Sequence, residues 1–278
     1  MVVKIWGARG SIPVSGKQYL KFGGDTTCVE IITKNENIII DAGTGIRRLS
    51  NKLLEEKKKS FHIILTHAHW DHILGFPFFR PIYFKNTEVN FYGCSFAQKS
   101  LKNLIAKTMT APYFPVNYKN LNANIIYNNL CLKEFQIDSI TIIPILLSHP
   151  NNGLGFKFIE DNKTFVFLTD NEIRFTHKGG LKYKDYLRFS RDSDLLIHDA
   201  EFSEDEYIKT KSWGHSTYID AIRLAMEGCV KKIGLFHHNQ ERTDIDIENI
   251  VKHCEKIISN EKSSLKCFAT RIDTEIIP

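Results

Sequence analysis

The stretch Thr66-His67-Ala68-His69-Trp70-Asp71-His72 is a dense cluster of ligand-type residues, and it directly follows the apolar run 61–65. Such a run is typical of a buried strand, and sites are commonly built on loops at strand ends. Three histidines and an aspartate this close together cannot all be core residues, because an unpaired buried polar group costs about 1–3 kcal/mol. The stretch therefore predicts a metal site, with Zn²⁺ as the expected ion and Mn²⁺ or Fe²⁺ as alternatives.

The spacing within this stretch indicates how the ligands divide between ions. His67 and His69 are two residues apart, so in an extended turn they point to the same side and could bind one ion. Asp71 and His72 are adjacent and would turn toward a second ion. We therefore expect two neighbouring divalent metal ions.

Four further polar residues stand where apolar runs end or where a helix is predicted to begin. They are His149 after the run 140–147, Asp170 after 165–168, His215 just before Ser216-Thr217, and His237 after 232–236. A single histidine at a strand end is usually a hydrogen-bonded structural residue, so each position alone is weak. Together with the cluster at 67–72, they favour the ligand interpretation.

The rest of the chain predicts an α/β protein. Apolar β-type runs fall at 2–6, 27–32, 37–41, 61–65, 87–92, 123–127, 137–147, 153–159, 164–168, 194–198, 232–237 and 265–269. Helical spacing is found at Ile46, Leu49 and Leu53; at Ala97, Leu101, Leu104 and Ile105; at Ile219, Ile222 and Met226; and from Ile247 to Ile258. Ser216 or Thr217, and Thr243, are the candidate N-caps of the last two helices. Mixed sheets covered by helices on their outer faces fit this order of elements best.

Composition excludes several classes of protein. The 37 Lys and Arg residues exceed the 32 Asp and Glu residues by five, which is too few to argue for a nucleic-acid or membrane surface. The longest apolar run, 140–147, is far below the roughly 18 residues of a membrane span. None of the six cysteines forms a C-x-x-C pair, so we expect reduced, buried thiols and a cytoplasmic protein.

The order H-x-H-x-D-H, then His, Asp and His, resembles the metallo-β-lactamase superfamily. Four more stretches carry the resemblance: 6–13 (WGARGSIP), 23–28 (GGDTTC), 41–45 (DAGTG) and 214–217 (GHST). They are similar to one branch of it, the phosphodiesterase-like hydrolases related to the tRNA 3′-end processing endonucleases and the class II cyclic-nucleotide phosphodiesterases. The resemblance spans nearly the whole chain.

This resemblance implies an αββα sandwich in which two mixed β-sheets lie face to face between helices. Because the candidate site residues run from His67 to His237, in both halves of the chain, we expect a single hydrolase domain over residues 1–278. It implies that the first metal is bound by His67, His69 and His149, and the second by Asp71, His72 and His237, with Asp170 bridging both. His238 is the rival of His237. Two departures stand out: Asp25 replaces an asparagine common among relatives, and the long Gly-rich arm that grips tRNA has no obvious counterpart.

The same resemblance suggests roles around the metals. Asp71 would orient the nucleophile and accept its proton, and His215 would protonate the leaving group, oriented by Asp199. The competing interpretations are a helix-terminal hydrogen-bonding role for His215 and a structural loop carboxylate for Asp199. Arg9, between two glycines, is a candidate phosphate contact. Asp41 is expected to fix a turn beneath the site, and His198 to orient a ligand or lie in the core.

We therefore predict a dinuclear metal-dependent phosphodiesterase that cleaves a small or cyclic phosphodiester, with a cyclic nucleotide as a candidate, by a metal-bridging hydroxide. The alternatives are a thioester or lactam hydrolase on the same scaffold, a tRNA 3′-end processing endonuclease, and a metal-binding nucleic-acid module without catalysis. The low net charge favours a small substrate over a long nucleic acid such as tRNA. A homodimer is expected from relatives alone.

Overall fold

Two mixed seven-stranded sheets form the framework of the computed structural model, which describes residues 1–95 and 100–278. The first sheet has the order β14-β1-β2-β3-β4-β5-β6 and the second β13-β12-β11-β10-β9-β8-β7. The strands are β1 Val2–Gly7, β2 Cys28–Ile32, β3 Asn37–Ile40, β4 Ser60–Ile64, β5 Glu88–Gly93, β6 Asn124–Asn129, β7 Phe135–Ile137, β8 Ile140–Leu146, β9 Leu154–Glu160, β10 Lys163–Leu168, β11 Leu195–Asp199, β12 Lys232–Phe236, β13 Lys266–Ala269 and β14 Glu275–Ile276.

The two sheets have the same internal plan. In the first, β14, β1, β2 and β3 pair antiparallel, and β3 to β6 continue in parallel. In the second, β7 to β10 pair antiparallel, and β10 to β13 continue in parallel. Because parallel strands end at a common edge, β10, β11 and β12 deliver the residues that follow them to the same side of the sheet.

Seven helices accompany the sheets: α1 Ile46–Glu55, α2 Trp70–Ile73, α3 Leu101–Lys107, α4 Tyr183–Ser190, α5 Glu204–Thr210, α6 Tyr218–Glu227 and α7 Asp244–Asn260 are found among the described residues. Three buried clusters define the layers. One joins the facing sheets, with Ile5 and Ile31 packed with Phe156 and Phe165. A second packs α1 on the first sheet, and a third packs α6 and α7 on the second. The predicted αββα sandwich is therefore confirmed.

The apolar runs predicted most strands, but one run contains two strands. The run 137–147 is two strands, β7 and β8, because Asp138 adopts a φ of 51° and reverses the chain into a hairpin. The run could not show this turn, because Asp138 and Ser139 interrupt it no more clearly than Thr141 and Pro144 do. Thr217 and Thr243 are the N-caps of α6 and α7, as predicted. Strand β14 and helices α2, α4 and α5 were not predicted, and Ala97 of the second predicted helix lies outside the described residues.

The cysteines depart from the expectation of reduced, buried thiols. Cys94 and Cys131 form a disulfide. They lie just beyond β5 and β6, two neighbouring parallel strands, so the sheet brings together residues whose sequence spacing suggests no pair. Of the other four, Cys28 and Cys254 are buried as predicted, whereas Cys229 is exposed and Cys267 half-buried. Among the described residues, no helix is both long and apolar enough to span a membrane.

Candidate metal centre

Seven side chains from four segments, each of which follows a strand, converge at one edge of the sandwich in two groups that share one member. His67, His69, His149 and Asp170 form the first group; Asp71, His72, Asp170 and His237 form the second. Within each group, one ligand atom per residue lies within 4.8 Å of the others. Asp170 belongs to both groups, so it would be the ligand that two ions have in common. Each group could hold a divalent metal ion, which is the division that the sequence suggests.

At this edge of the sandwich the chain turns sharply after three of the strands, through residues with positive φ. Asp170 follows β10 with a φ of 51°, His237 follows β12 with a φ of 59°, and Asp41 follows β3 with a φ of 61°. Residues other than glycine rarely adopt positive φ, and such conformations cluster at functional sites because the surrounding structure must hold them. The turns therefore aim these side chains into the site at some cost in backbone strain.

Hydrogen bonds fix the rings of three histidines. His72 Nδ1 donates to Asp41 Oδ2 at 2.7 Å, His149 Nδ1 to the carbonyl of Gly214 at 2.8 Å, and His237 Nδ1 to Glu201 Oε2 at 2.9 Å. Each bond leaves Nε2 free to ligate a metal, as outer carboxylates and carbonyls commonly do at metal sites. Asp41 is thus more than a turn residue, because it orients His72 directly.

Two buried ring nitrogens test whether a metal fits. His67 Nε2 and His72 Nε2 are buried and have no hydrogen-bond partner. His149 Nε2 lies 3.0 Å from His69 Nδ1, so two further ring nitrogens converge on the first group. Buried polar atoms without partners are rare in folded proteins and need an explanation. A bound cation supplies the missing partner, so the donor set fits divalent metal ions.

Electrostatics favour the same conclusion. Burial lowers the pKa of His67 well below its usual range and that of His149 to about 3, so both rings are neutral and can donate a lone pair. Burial would raise the pKa of Asp170, but the charges of His237 and His72 outweigh it and hold that pKa well below its ordinary value. Neutral rings at His67 and His149 beside an ionised Asp170 suit a divalent ion in the first group. Burial also lowers the pKa of His72 and His237, but the carboxylates around them, Asp170 foremost, outweigh it and raise both pKa values well above the usual range, so a metal ion there would displace their protons.

His215 and Asp199 form a pair beside the two ligand groups. His215 Nδ1 lies 2.6 Å from Asp199 Oδ2 and 3.3 Å from Glu201 Oε2, and its ring stacks on His237 at 4.6 Å between centroids. Asp199 is held in turn by the backbone amides of Glu201 at 3.1 Å and Ser216 at 3.2 Å. Burial lowers the pKa of His215, but the charges of Glu201 and Asp199 outweigh it and raise that pKa to about 9. The predicted pairing of His215 with Asp199 is therefore present in the structure.

The segment that carries His215 is anchored by Glu172, a fully buried residue. Glu172 accepts hydrogen bonds from the Tyr207 hydroxyl at 2.7 Å and from the amides of Ser212 and Gly214 at 2.8 Å each. Gly214 adopts a φ of 102°, and a Cβ there would lie 2.2 Å from His149 Nδ1. The backbone of Gly214 therefore links this anchor to the ring of His149, and only glycine fits at that position.

Arg9 is the one predicted site residue that the structure places elsewhere. It is 1% exposed, and its guanidinium donates to the carbonyls of Gly23, Asn239 and Arg242 at 2.8–3.3 Å. The predicted phosphate contact is wrong, because the guanidinium ties two loops together instead of facing a substrate. The flanking glycines indicated a tight backbone but could not reveal which atoms the long side chain reaches.

The remaining histidines are accounted for by local partners. His238 Nε2 donates to the carbonyl of Thr270 at 2.8 Å and belongs to neither ligand group, so His237 rather than its rival faces the site. His198 is fully buried and bonds the carbonyl of Asp199 and the side chain of Asn171. His62, His177 and His253 contact Tyr92, Glu172 and Tyr218 respectively.

Three contributors were missed from the sequence: Glu172, Glu201 and the amide of Ser11, which donates to Asp71 Oδ2 at 2.9 Å. Glu201 lies two residues after Asp199, and Ser11 lies within the quoted stretch 6–13, so both lie close in sequence to predicted site residues. Nothing in the sequence separates them from surface carboxylates and loop serines. Their roles depend on contacts between distant parts of the chain.

An αββα sandwich with two overlapping His/Asp ligand groups at its edge defines a metal-dependent hydrolase of the metallo-β-lactamase fold. The model of the beta-lactamase superfamily domain matches residues 36–238, and the chain belongs to this superfamily. Ribonuclease Z of Oceanobacillus iheyensis is 22% identical over 268 residues, which covers 80% of this chain and 85% of that protein.

Solved structures agree on the fold. The metallo-beta-lactamase fold protein YhfI from Bacillus subtilis superposes with a TM-score of 0.72 and 17% identity over 99% of this chain and 98% of that one. Yeast PDE1 superposes with a TM-score of 0.67 and 12% identity, covering 100% of this chain and 99% of that one. The solved structures show the shared fold, and the relatives named Ribonuclease Z agree with the phosphodiesterase-like and tRNA-processing branch that the quoted stretches resemble.

Proposed function

We propose that this protein hydrolyses phosphodiesters with two divalent metal ions, of which zinc is the first candidate. The observation that carries the proposal is the His215–Asp199 pair, with its 2.6 Å contact, placed directly beside the two ligand groups. A hydrolase that expels an alkoxide needs an acid to protonate it, and a histidine oriented by a carboxylate is a common solution.

The ligand groups would each hold one ion: His67, His69 and His149 the first, Asp71, His72 and His237 the second, with Asp170 between them. Ions held there would lower the pKa of a coordinated water and neutralise charge on the phosphate. Asp71 Oδ2 is fixed by the amide of Ser11 at 2.9 Å, which positions the carboxylate to orient the attacking water and accept its proton.

His215 completes the reaction at the other side of the phosphorus. Its Nδ1 is held by Asp199, which leaves Nε2 to donate a proton to the leaving oxygen. The charges of Asp199 and Glu201 favour the protonated ring. A thioester or lactam hydrolase on the same scaffold would have less need of this buried, charged pair, so the pair favours phosphodiester chemistry.

RNA is the substrate class that the comparisons favour. The relative from Oceanobacillus iheyensis is named Ribonuclease Z and is matched over most of its length. The stretches quoted from the sequence also resemble tRNA 3′-end processing endonucleases. We therefore place the 3′ end of a precursor tRNA first among substrates to test, ahead of the small phosphodiester that the net charge alone favours.

A small or cyclic phosphodiester is kept as the second candidate because of one structural observation. Residues 150–169 alone connect His149 to Asp170, and they consist mainly of the hairpin β9–β10. The long arm that tRNA-processing relatives use to grip tRNA has no counterpart in this connection. A substrate that needs no such grip, for example a cyclic nucleotide, would suit the site.

A substrate panel tests the proposal and separates the two candidates. Full-length protein loaded with Zn²⁺ or Mn²⁺ is incubated with a precursor tRNA carrying a 3′ trailer, with cyclic nucleotides and with bis-(p-nitrophenyl) phosphate. We expect metal-dependent hydrolysis that Asp170→Asn abolishes and that the control His253→Ala leaves unchanged. Cleavage of thioesters or lactams alone, with metal bound, would contradict the proposal.

We further propose that residues 1–278 act as one cytoplasmic hydrolase domain, since the cluster between the sheets draws residues from both halves of the chain. Multi-angle light scattering tests the homodimer that the resemblance suggests. Limited proteolysis tests the single domain, because two independent domains would yield stable fragments.

A further inference from the structure

The candidate metal centre opens to solvent at one ligand. Of its seven side chains, six are buried and only His69 is half-buried. The residues on either side of His69 are Ala68, which is half-buried, and Trp70, whose side chain is 64% exposed. Ala68 and Trp70 therefore flank the one ligand of the two groups that solvent reaches most easily. The indole of Trp70 therefore presents a large apolar face to solvent next to two predicted ligands.

A cavity of about 370 Å³ lies directly against this opening. Its walls include Ala68, Trp70 and Ile73 from the ligand loop and α2, and Leu104, Thr110 and Tyr113 from α3 and the segment after it. Tyr113 is 84% exposed, so a second aromatic ring is available at the same cavity. The volume lies within the range of small-molecule sites, about 300–1,000 Å³.

The chemistry of the cavity suits a planar, polar-edged ring. Trp70 and Tyr113 offer aromatic faces, and Ile73 and Leu104 add an apolar wall. The Thr110 hydroxyl donates to the carbonyl of Ala106 at 3.1 Å, so its oxygen can still accept a hydrogen bond from the edge of a ring. Flat heteroaromatic rings with amino groups on their edges match these features, and among groups attached to phosphodiesters these are nucleobases.

We propose that this cavity binds a nucleobase of the substrate, stacked on Trp70, and so makes the enzyme select nucleotide phosphodiesters. The proposal rests on the function proposed above and adds the substrate class that the site prefers. The base is held beside the first ligand group, next to His69, so its phosphate reaches the metal centre. Trp70 is a specificity residue, and the cavity takes the base of a mononucleotide or of an RNA terminus by the same contacts.

Binding measured separately from turnover tests this proposal. Metal-loaded full-length protein is titrated calorimetrically with AMP and with ribose 5-phosphate, which share the phosphate and the sugar but differ in the base. We expect AMP to bind at least about tenfold more tightly. Trp70→Leu should weaken AMP binding about 5- to 100-fold, the range of one lost base–aromatic stack, and leave ribose 5-phosphate within twofold. Trp70→Phe, which keeps an aromatic ring, should retain most of the preference.

The matched control is Trp213→Leu, because Trp213 is also 64% exposed but does not line the cavity. It should leave the ratio of the two affinities unchanged. Equal affinities for AMP and ribose 5-phosphate in the unaltered protein, including binding of neither, would overturn the proposal. So would a loss of preference in Trp213→Leu as large as in Trp70→Leu.

A short oligoribonucleotide carrying the same terminal base identifies the source of the base. Tighter binding of the oligonucleotide than of AMP supports a base from RNA, and equal binding supports a mononucleotide; both outcomes support the cavity. The same measurements distinguish a failure of the proposed function from a failure of the proposed cavity. A preference for AMP without hydrolysis of any phosphodiester would refute the reaction alone, whereas hydrolysis without preference for a base would refute the cavity alone.

Discussion

Replacing His215 by alanine should lower kcat, and the loss should be larger for substrates whose leaving oxygen is more basic and must be protonated as it departs. His215 Nδ1 lies 2.6 Å from Asp199 Oδ2, and the charges of Glu201 and Asp199 outweigh the effect of burial and raise its pKa to about 9. The ring is thus a competent acid at neutral pH. General acid catalysis contributes about 10²- to 10⁴-fold, which corresponds to about 3–5.5 kcal/mol of transition-state stabilisation.

The assay compares two substrates in the same protein. A nucleoside phosphodiester expels a poor alkoxide, so His215→Ala should lower its kcat about 10²- to 10⁴-fold. Bis-(p-nitrophenyl) phosphate expels a stabilised phenolate that needs little protonation, so the same variant should lose less than about tenfold. Asp199→Asn should follow the same pattern, because an amide facing Nδ1 no longer favours the protonated ring. His253→Ala is the control, since its ring contacts Tyr218 and lies in neither ligand group.

Two results would refute this reasoning. Equal losses with both substrates would show that His215 does not protonate the leaving group. A lower metal content in His215→Ala would show that His215 acts as a metal ligand instead. The geometry allows this alternative, because ligand atoms of Asp199, His215 and His237 also lie within 4.8 Å of one another. Elemental measurement of each variant separates the two explanations.

Three further outcomes are expected. The kcat for the nucleoside substrate should fall as pH rises through the pKa of His215. That fall should lie at or below pH 9, because bound cations disfavour the protonated ring and lower its pKa. The pH–rate profile of His215→Ala should lack this fall at alkaline pH. Glu172→Gln should lower the free energy of unfolding by about 1–3 kcal/mol and lower kcat for every substrate, because the amides of Ser212 and Gly214 would face a weaker hydrogen-bond acceptor. Chemical denaturation and steady-state kinetics measure the two effects, and an unchanged kcat would contradict the prediction. Arg9→Met should cost about 2–4 kcal/mol of stability with KM unchanged, and a raised KM at unchanged stability would restore a substrate contact for Arg9.

Local patterns predicted the parts of the fold that depend on local order. The apolar runs anticipated most strands, and Thr217 and Thr243 were recognised as N-caps because capping depends on neighbouring residues. The hairpin at Asp138 was missed because a turn of two residues inside an apolar run leaves the hydrophobic pattern almost continuous. The short helix α2 was not predicted, because most of its four residues belong to the ligand stretch, which shows no helical spacing of apolar residues.

The site was predictable where a strand end and a ligand-type residue coincide, as at Asp170 and His237. It was not predictable where a side chain reaches across the fold. Glu172 contacts residues about 40 positions away, and Arg9 reaches the carbonyl of Arg242, so their partners are set by the packing of the two sheets. The disulfide between Cys94 and Cys131 is of the same kind, since the pairing of β5 with β6 brings its cysteines together.

The measurement that most directly tests the central claim is a metal titration of chelator-treated protein, followed by both calorimetry and phosphodiester turnover. Two ligand groups sharing Asp170, with buried and unpartnered nitrogens on His67 and His72, predict two ions bound per chain. Turnover should appear as the pair of ions is completed, and thermal stability should rise with binding, by about 2.7 kcal/mol at a hundredfold excess over Kd. Two ions bound without turnover of any phosphodiester, or full turnover without bound metal, would contradict the account.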